Sequence, residues 1–519
     1  MWQTPTVLPV LTGLLISLVC LAMNAAAEDD AAALAELIDR HIQAPLDAEG
    51  LERVPPADDA EFMRRVYLDL HGVVPSAERA TRFLDTSDAQ KRSQLIDELL
   101  ASPSFGEHFG DVWRKRLISP LASEQRLQTE RFSDWLAGRF NNNDGWDRIV
   151  FDLVTATGKI DENPAVTYLI EGRHPLGVTD LTDLSSRYFL GVRLNCAQCH
   201  DHPQVAWKRS DYWGMAAFFA QIQTPGRPKK VYQAGVQDDP KMTLASLVEA
   251  DMIEGYQSVP PTFLGGEALQ ADAHGSHRAA LAHWITSSEN PYFARAAVNR
   301  MWWHFFARGI VNPVDDMHTG NLPSHPELLE LLSRRFAESG FDLKFLCRAI
   351  LNSRTYQQTS RPGKQADAEA RLFARMSIKV LSAEQLYDSL VAILGPPGKV
   401  PGIDTRLGAR SEFCQFFAGD GDPDPKSYER GIPHLLRLMN SPQFAGQNVA
   451  ALVSRVVAPG RSTDEAVEKL FVTILTRRPT PTEQQLARDH LRDADASPQT
   501  AYRELAWALL MSSEFSLNH

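Results

Sequence analysis

The string Cys196-Ala197-Gln198-Cys199-His200 concentrates more reactive side chains than any other part of this chain. Two thiols three positions apart, followed at once by an imidazole, form the attachment pattern of c-type haem. On one helical turn, positions i, i+3 and i+4 point to a common face, so Cys196 and Cys199 could form thioethers with haem vinyl groups while His200 reaches the iron as axial ligand. Two other chemistries fit the same residues. Cys196 and Cys199 could form a redox-active disulfide, or hold zinc or another metal together with His200 or His202. The zinc reading is weakened because the chain holds no second C-x-x-C and no H-x-x-x-H pair, and Cys347 and Cys414 stand alone.

Residues around the string bear on what such a centre would do. Met215 is the nearest downstream methionine and a candidate sixth iron ligand, although a Met among Trp213, Phe218 and Phe219 at helical spacing reads first as core filling. His202, two residues beyond His200, is placed to line the pocket, bind a second ion or stabilise the turn before Pro203. Asp201, Trp207 and Asp211 add groups that orient a ligand histidine or shield a cofactor; the plainer reading is a helix N-cap at Asp211 and a half-buried Trp207. A second group lies further on. His304, inside the aromatic run Met301 to Phe306, reads as a satisfied buried histidine, while Asp315 and Asp316 with His304 or His318 could hold a metal or form an acid–base pair. Asp420, Asp422 and Asp424 alternate like the start of a calcium loop, but Pro425 and Gly431 break that pattern, leaving an acidic surface turn. G-x-S-x-G, H-E-x-x-H, the P-loop and G-x-G-x-x-G are all missing.

The elements that must carry these residues are helical. Apolar residues recur at three- and four-residue spacing, as in Phe62, Val66, Leu70 and Leu95, Ile96, Leu99, Leu100. Capping boxes are expected at Ser324 to Glu327, Ser382 to Gln385, Ser462 to Glu465 and Thr480 to Glu483. From Thr224 to Glu267 the helical period lapses into Lys229-Lys230-Val231-Tyr232, Val259-Pro260-Pro261 and Gly265-Gly266, which suits an irregular connector with a short β-hairpin. The expected fold is therefore mainly α: a signal peptide over 1–27, a helical domain over 28–222, a connector over 223–272 and a second helical domain over 273–519. The 519 residues, 44% hydrophobic and 23% charged, exclude a disordered or single small module. With 53 Lys plus Arg against 65 Asp plus Glu, the net charge of -12 argues against a nucleic-acid or anionic-membrane partner held by charge.

Residues 1–27 carry no Asp, Glu, Lys or Arg, are strongly apolar from Val7 to Met23 and end in Asn24-Ala25-Ala26-Ala27. This reads as an export signal cut before Glu28, with an uncleaved N-terminal anchor as the alternative. Covalent haem attachment takes place on exported chains, so this segment and the cysteine string support each other.

Several strings together resemble a known family: the large secreted proteins of planctomycetes and related bacteria that pair a cytochrome-associated domain with a planctomycete-specific domain. The first half resembles it through Arg65-Val66-Tyr67-Leu68-Asp69-Leu70-His71-Gly72, through Leu99-Leu100-Ala101-Ser102-Pro103, and most strongly through Phe189-Leu190-Gly191-Val192-Arg193 running into Cys196 to Pro203, with Trp207, Asp211 and Tyr212 after it. The second half does so through Asn290-Pro291-Tyr292, Asn299-Arg300, Asp315-Asp316, Ser324 to Leu329, Ser353 to Gln357 and Leu381 to Leu386. The resemblance implies a mostly helical exported protein, in a setting where related proteins often carry a separate cytochrome c domain. It brings no settled activity, and the stretch Phe413 to Gly431 matches it loosely.

Three functions fit this reading. The first is an exported, periplasmic or otherwise extracytoplasmic c-type haem protein, passing electrons to a partner protein or performing redox chemistry on it. The second is a helical scaffold or binding protein for surface or polysaccharide-processing assemblies, with a structural or zinc-holding cysteine turn. The third is a metal-dependent hydrolase built on Asp315, Asp316 and nearby histidines.

Overall fold

The computed structural model describes residues 30–118, 123–170, 177–203, 205–224, 235–249, 259–270, 276–395, 408–417, 447–458, 460–493 and 497–519. Helix dominates the described residues, with short antiparallel strand pairs among them, as the spacing of apolar residues predicts. The N-terminal half runs through a helix at 30–49, then Asp59–Leu70, Ala77–Asp85, Lys91–Ala101, Pro103–Leu117, Ser123–Asn141, Trp146–Thr155 and Val178–Phe189. Pro103–Leu117 lies close along Ser123–Asn141, and Gly110 permits the approach: a Cβ there would stand 2.7 Å from the Ser133 carbonyl oxygen.

The expected hairpin is present and has a third strand. Ile222–Gln223 and Gly235–Asp238 pair antiparallel with Ile222 opposite Asp238, and Gly158–Lys159 adds to the other edge with Gly158 opposite Val236. The connector is thus stitched to the first half by main-chain hydrogen bonds. Of its expected hairpin residues, Lys229 to Tyr232 lie outside the described residues.

Helix starts follow local chemistry. Ser382 and Ser462 form reciprocal boxes with Gln385 and Glu465. Thr480 and Glu483 do the same, the Thr480 N–H donating to the Glu483 carboxylate at 2.7 Å and the Glu483 N–H to Thr480 Oγ1 at 3.3 Å. Ser324 does not cap. Pro326 occupies the first helical position of Pro326–Glu338, which makes His325 the N-cap, and the Ser324 hydroxyl donates instead to the Ile310 carbonyl at 3.1 Å. Thr480 succeeds where Ser324 fails because Thr480 directly precedes its proline.

The buried core does not divide at the connector. One continuous cluster takes in residues from Ala31 to Met376 together with Val472, and joins Trp113, Trp146, Phe189 and Trp213 of the first half to Trp302, Phe305, Phe336 and Tyr356 of the second. A second cluster combines Leu68 and Val74 with residues from Leu381 to Phe515. The aromatic helix Phe293–Phe306 is the bridge, since His304 meets Phe109 at a tilt with ring centroids 5.3 Å apart and its Nε2 donates to the Asp69 carbonyl at 2.9 Å. Loss of helical period marks where the chain turns irregular; it does not mark where apolar surface stops being shared.

Candidate cysteine and histidine site

The approach to the cysteines is fixed before they are reached. Helix Val178–Phe189 ends at Leu190, and Gly191 takes a left-handed φ of +69°. Glycine is required there on two counts, because a Cβ would also lie 3.1 Å from Ala296 Cβ and 3.2 Å from Met317 Sδ. The Gly191 carbonyl accepts the Met317 N–H at 2.9 Å and the Val192 N–H returns to the Ser186 carbonyl at 3.0 Å, so the segment is tied on both sides.

Asn195–Gln198 then forms a 3-10 turn and not the α-helical turn the spacing suggested. The tighter winding brings side chains at i and i+3 nearly into line. Ala197 is fully buried beneath the turn, while Cys196, Cys199 and His200 are exposed and both thiols are free. The Trp213 indole N–H, from the buried face of helix Arg209–Ala216, donates to the Gln198 carbonyl at 3.0 Å and pins the turn from below.

The His200 ring is oriented by its own backbone neighbour: Nδ1 lies 2.8 Å from the Asp201 carbonyl oxygen. A carbonyl only accepts, so Nδ1 carries the proton and Nε2 presents its lone pair outward, the tautomer a metal-ligating histidine uses. The other candidates near the turn have structural jobs. Asp201 Oδ1 accepts the Arg209 N–H at 2.8 Å at the start of the next helix. The Asp211 carboxylate accepts the Lys208 N–H at 2.8 Å from the third helical position, so Asp211 is not itself the N-cap; Lys208 is. His202 stabilises its turn, its N–H donating to the Trp207 carbonyl at 2.8 Å and its Nδ1 accepting the Val205 N–H at 3.2 Å. Trp207 is half-buried and meets Tyr292 with ring centroids 6.5 Å apart. Met215 is fully buried and packed as core.

Two carboxylates that the sequence reading passed over also border this region. Asp180 and Asp183 stand one turn apart on helix Val178–Phe189. Burial, with Asp180 adding repulsion, pushes Asp183 up to about 7. The Tyr212 phenol is pushed up by burial and by Asp183, Asp180 and Cys199, which places those groups within electrostatic reach of one another. The spacing Asp180-x-x-Asp183 was visible in the sequence, but nothing there connected it to Cys199.

The second-domain candidates do not converge. Asp315 is fully buried beneath arginines: Arg193 Nη2 and Nε reach Oδ1 at 2.6 and 2.9 Å, Arg187 Nε donates to Oδ2, and Arg300 Nη2 stands 3.7 Å away. Burial raises its pKa, but Arg300, Arg187 and Arg193 outweigh that and hold the carboxyl below its usual range, so it is no general base. His304 is occupied with the Asp69 carbonyl. Asp316 and His318 are left as a loose, partly exposed pair 3.8 Å apart, with His318 Nδ1 accepting the Gly320 N–H at 3.0 Å. Of the four second-domain candidates the fold brings only Asp316 and His318 near each other, while Asp315 is committed to arginines and His304 to a carbonyl. Among the described residues, no group of three or more His, Cys, Asp and Glu side chains could hold a metal ion. Cys347 and Cys414 are free, and burial pushes both thiols up. The acidic turn at Asp420 to Asp424 lies outside the described residues.

Comparison with known proteins adds family relationships without an activity. Residues 37–224 match the family model PSCyt2, described as a protein of unknown function (DUF1549). Residues 277–411 match PSD1, described likewise as a protein of unknown function (DUF1553). No curated protein and no solved structure matches the chain.

Proposed function

For a chain that belongs to the family pairing a PSCyt2 domain with a PSD1 domain, we propose the function of an exported c-type haem protein that exchanges electrons with a partner protein. The observation that carries this reading is the state of the three donors. Two free, exposed thiols on one 3-10 turn are followed by an imidazole whose Nδ1 is committed to a carbonyl and whose Nε2 is left to coordinate. When bound, haem would supply one-electron chemistry at iron.

The chain's own residues would do the rest. Cys196 and Cys199 would hold the macrocycle through thioethers, His200 would ligate the iron, and the Asp201 carbonyl orients its ring. Met215 would not join His200 as a ligand, because its side chain is fully buried while His200 is exposed. Exposure of the turn suits transfer to a docked protein. Export through residues 1–27 belongs to the same proposal, and no described helix is long and apolar enough to cross a membrane. The scaffold reading, in which the turn is structural, draws on the anchoring of the turn by Trp213 and the buried Ala197.

Substituting His200→Ala separates the two. Expressed with a cytochrome c maturation system, the variant is expected to keep covalent haem on denaturing electrophoresis while its Soret and visible bands differ from those of the wild type. An unchanged spectrum would remove His200 as ligand and with it the electron-transfer assignment.

A further inference from the structure

The turn that carries the cysteines is anchored within the PSCyt2 segment by Trp213 and is also held from outside that segment. Asp315 lies in the PSD1 segment, and Arg187 and Arg193, which it binds, lie in the PSCyt2 segment. Only two residues separate Arg193 from Cys196, and the three Cα–Cα steps limit the distance between their Cα atoms to about 11 Å. Two residues beyond Asp315, the Met317 N–H takes the Gly191 carbonyl at 2.9 Å, while Ala296 and Met317 press against the glycine itself. On the far side of the turn, Trp207 rests near Tyr292. The cysteine and histidine turn is thus gripped before and after by residues of the other domain.

The chemistry of the grip favours orientation over stabilisation. Two donors of one planar guanidinium on a single carboxylate oxygen leave Arg193 little freedom to rotate. With Asp315 fully buried and Arg187, Arg193 and Arg300 around it, the cluster fixes a defined geometry beside the turn. We propose that Asp315 is a positioning residue for the Cys196, Cys199 and His200 turn, so that the PSD1 segment completes a site whose reactive groups all belong to the PSCyt2 segment. This rests on the reading of the turn as the functional centre, and it accounts for the presence of the two domains in one chain.

The test uses the full chain in three variants. Asp315→Asn removes the charge and Asp315→Glu keeps it. Asp238→Asn breaks a comparable pair, since Asp238 holds the buried Arg278 at 2.9 Å without touching the turn. In the haem-free chain, amide hydrogen exchange over residues 190–203 is expected to accelerate by about tenfold in Asp315→Asn, to recover in Asp315→Glu and to stay unchanged in Asp238→Asn. In chains that carry haem, Asp315→Asn is expected to shift the midpoint potential. Wild-type exchange in Asp315→Asn, equal acceleration in Asp238→Asn, or an unmoved potential would overturn the proposal. The exchange comparison needs no cofactor, so positioning is judged even where haem attachment fails.

Discussion

Replacing Lys379 by Met is expected to lower folding stability by about 3–5 kcal/mol, because it strands a buried carboxylate. Asp69 is 1% exposed and accepts Lys379 Nζ at 2.5 Å, Asn518 Nδ2 at 2.6 Å and the Tyr356 hydroxyl at 2.9 Å. Lys379 also donates to the His304 and Phe305 carbonyls at 3.1 Å each, closing the C-terminal end of the aromatic helix. Without the ammonium, Asp69 keeps only neutral donors and two carbonyls lose theirs. The effect reaches beyond one ion pair because this knot joins helix Asp59–Leu70, helix Phe293–Phe306 and the strand pair of Lys379 with Asn518. Urea denaturation followed by far-ultraviolet circular dichroism measures it. The double variant Lys379→Met with Asp69→Asn should regain part of the loss, since no unpaired charge then stays buried. A loss below about 1 kcal/mol in the single variant would show that Asp69 reaches water.

Stability is also expected to fall as the pH drops below 6.5, in part through His304. Burial pushes this imidazole down to about 3, helped by the charges of Lys379 and Arg116 and opposed by its bond to the Asp69 carbonyl. The folded value lies below the unfolded one, so the unfolded chain binds the proton first. The stabilising contribution is therefore complete above pH 6.5 and is lost progressively as pH falls toward 3, with about 2 kcal/mol gone by pH 5. His108, whose ring centroid lies 6.1 Å from that of His304, is held down in the same direction by burial and by His304 itself. Asp183 titrates in the same window with the opposite sign, because its folded value is raised and lowering the pH relieves it. Comparing wild type with His304→Asn at pH 7.5 and pH 5 isolates the histidine. The variant should lose less stability than wild type over that interval, and equal losses would show that His304 is protonated as easily folded as unfolded.

Much of this architecture was legible in the residues. Apolar spacing gave the helices, and Ser382, Ser462 and Thr480 announced their starts because each cap bonds only within its own first turn. The donor set at Cys196, Cys199 and His200 was equally local. What stayed hidden depends on partners far along the chain. Asp315 read as a potential acid–base group beside His318, yet its character is set by arginines 122 and 128 residues earlier. Asp69 is one of several charged residues in its helix, and the lysine that pairs with it lies 310 residues away. Periodicity reports which face of an element is buried; it does not report what a buried charge will meet there.

The account stands most directly on covalent haem at the cysteine turn. The decisive measurement is a haem stain after denaturing electrophoresis of the full chain, matured with a cytochrome c system, beside Cys196→Ala with Cys199→Ala. Stained wild-type protein and an unstained double variant of equal abundance are the predicted result. An unstained wild-type chain beside a stained control cytochrome in the same cells would contradict the account.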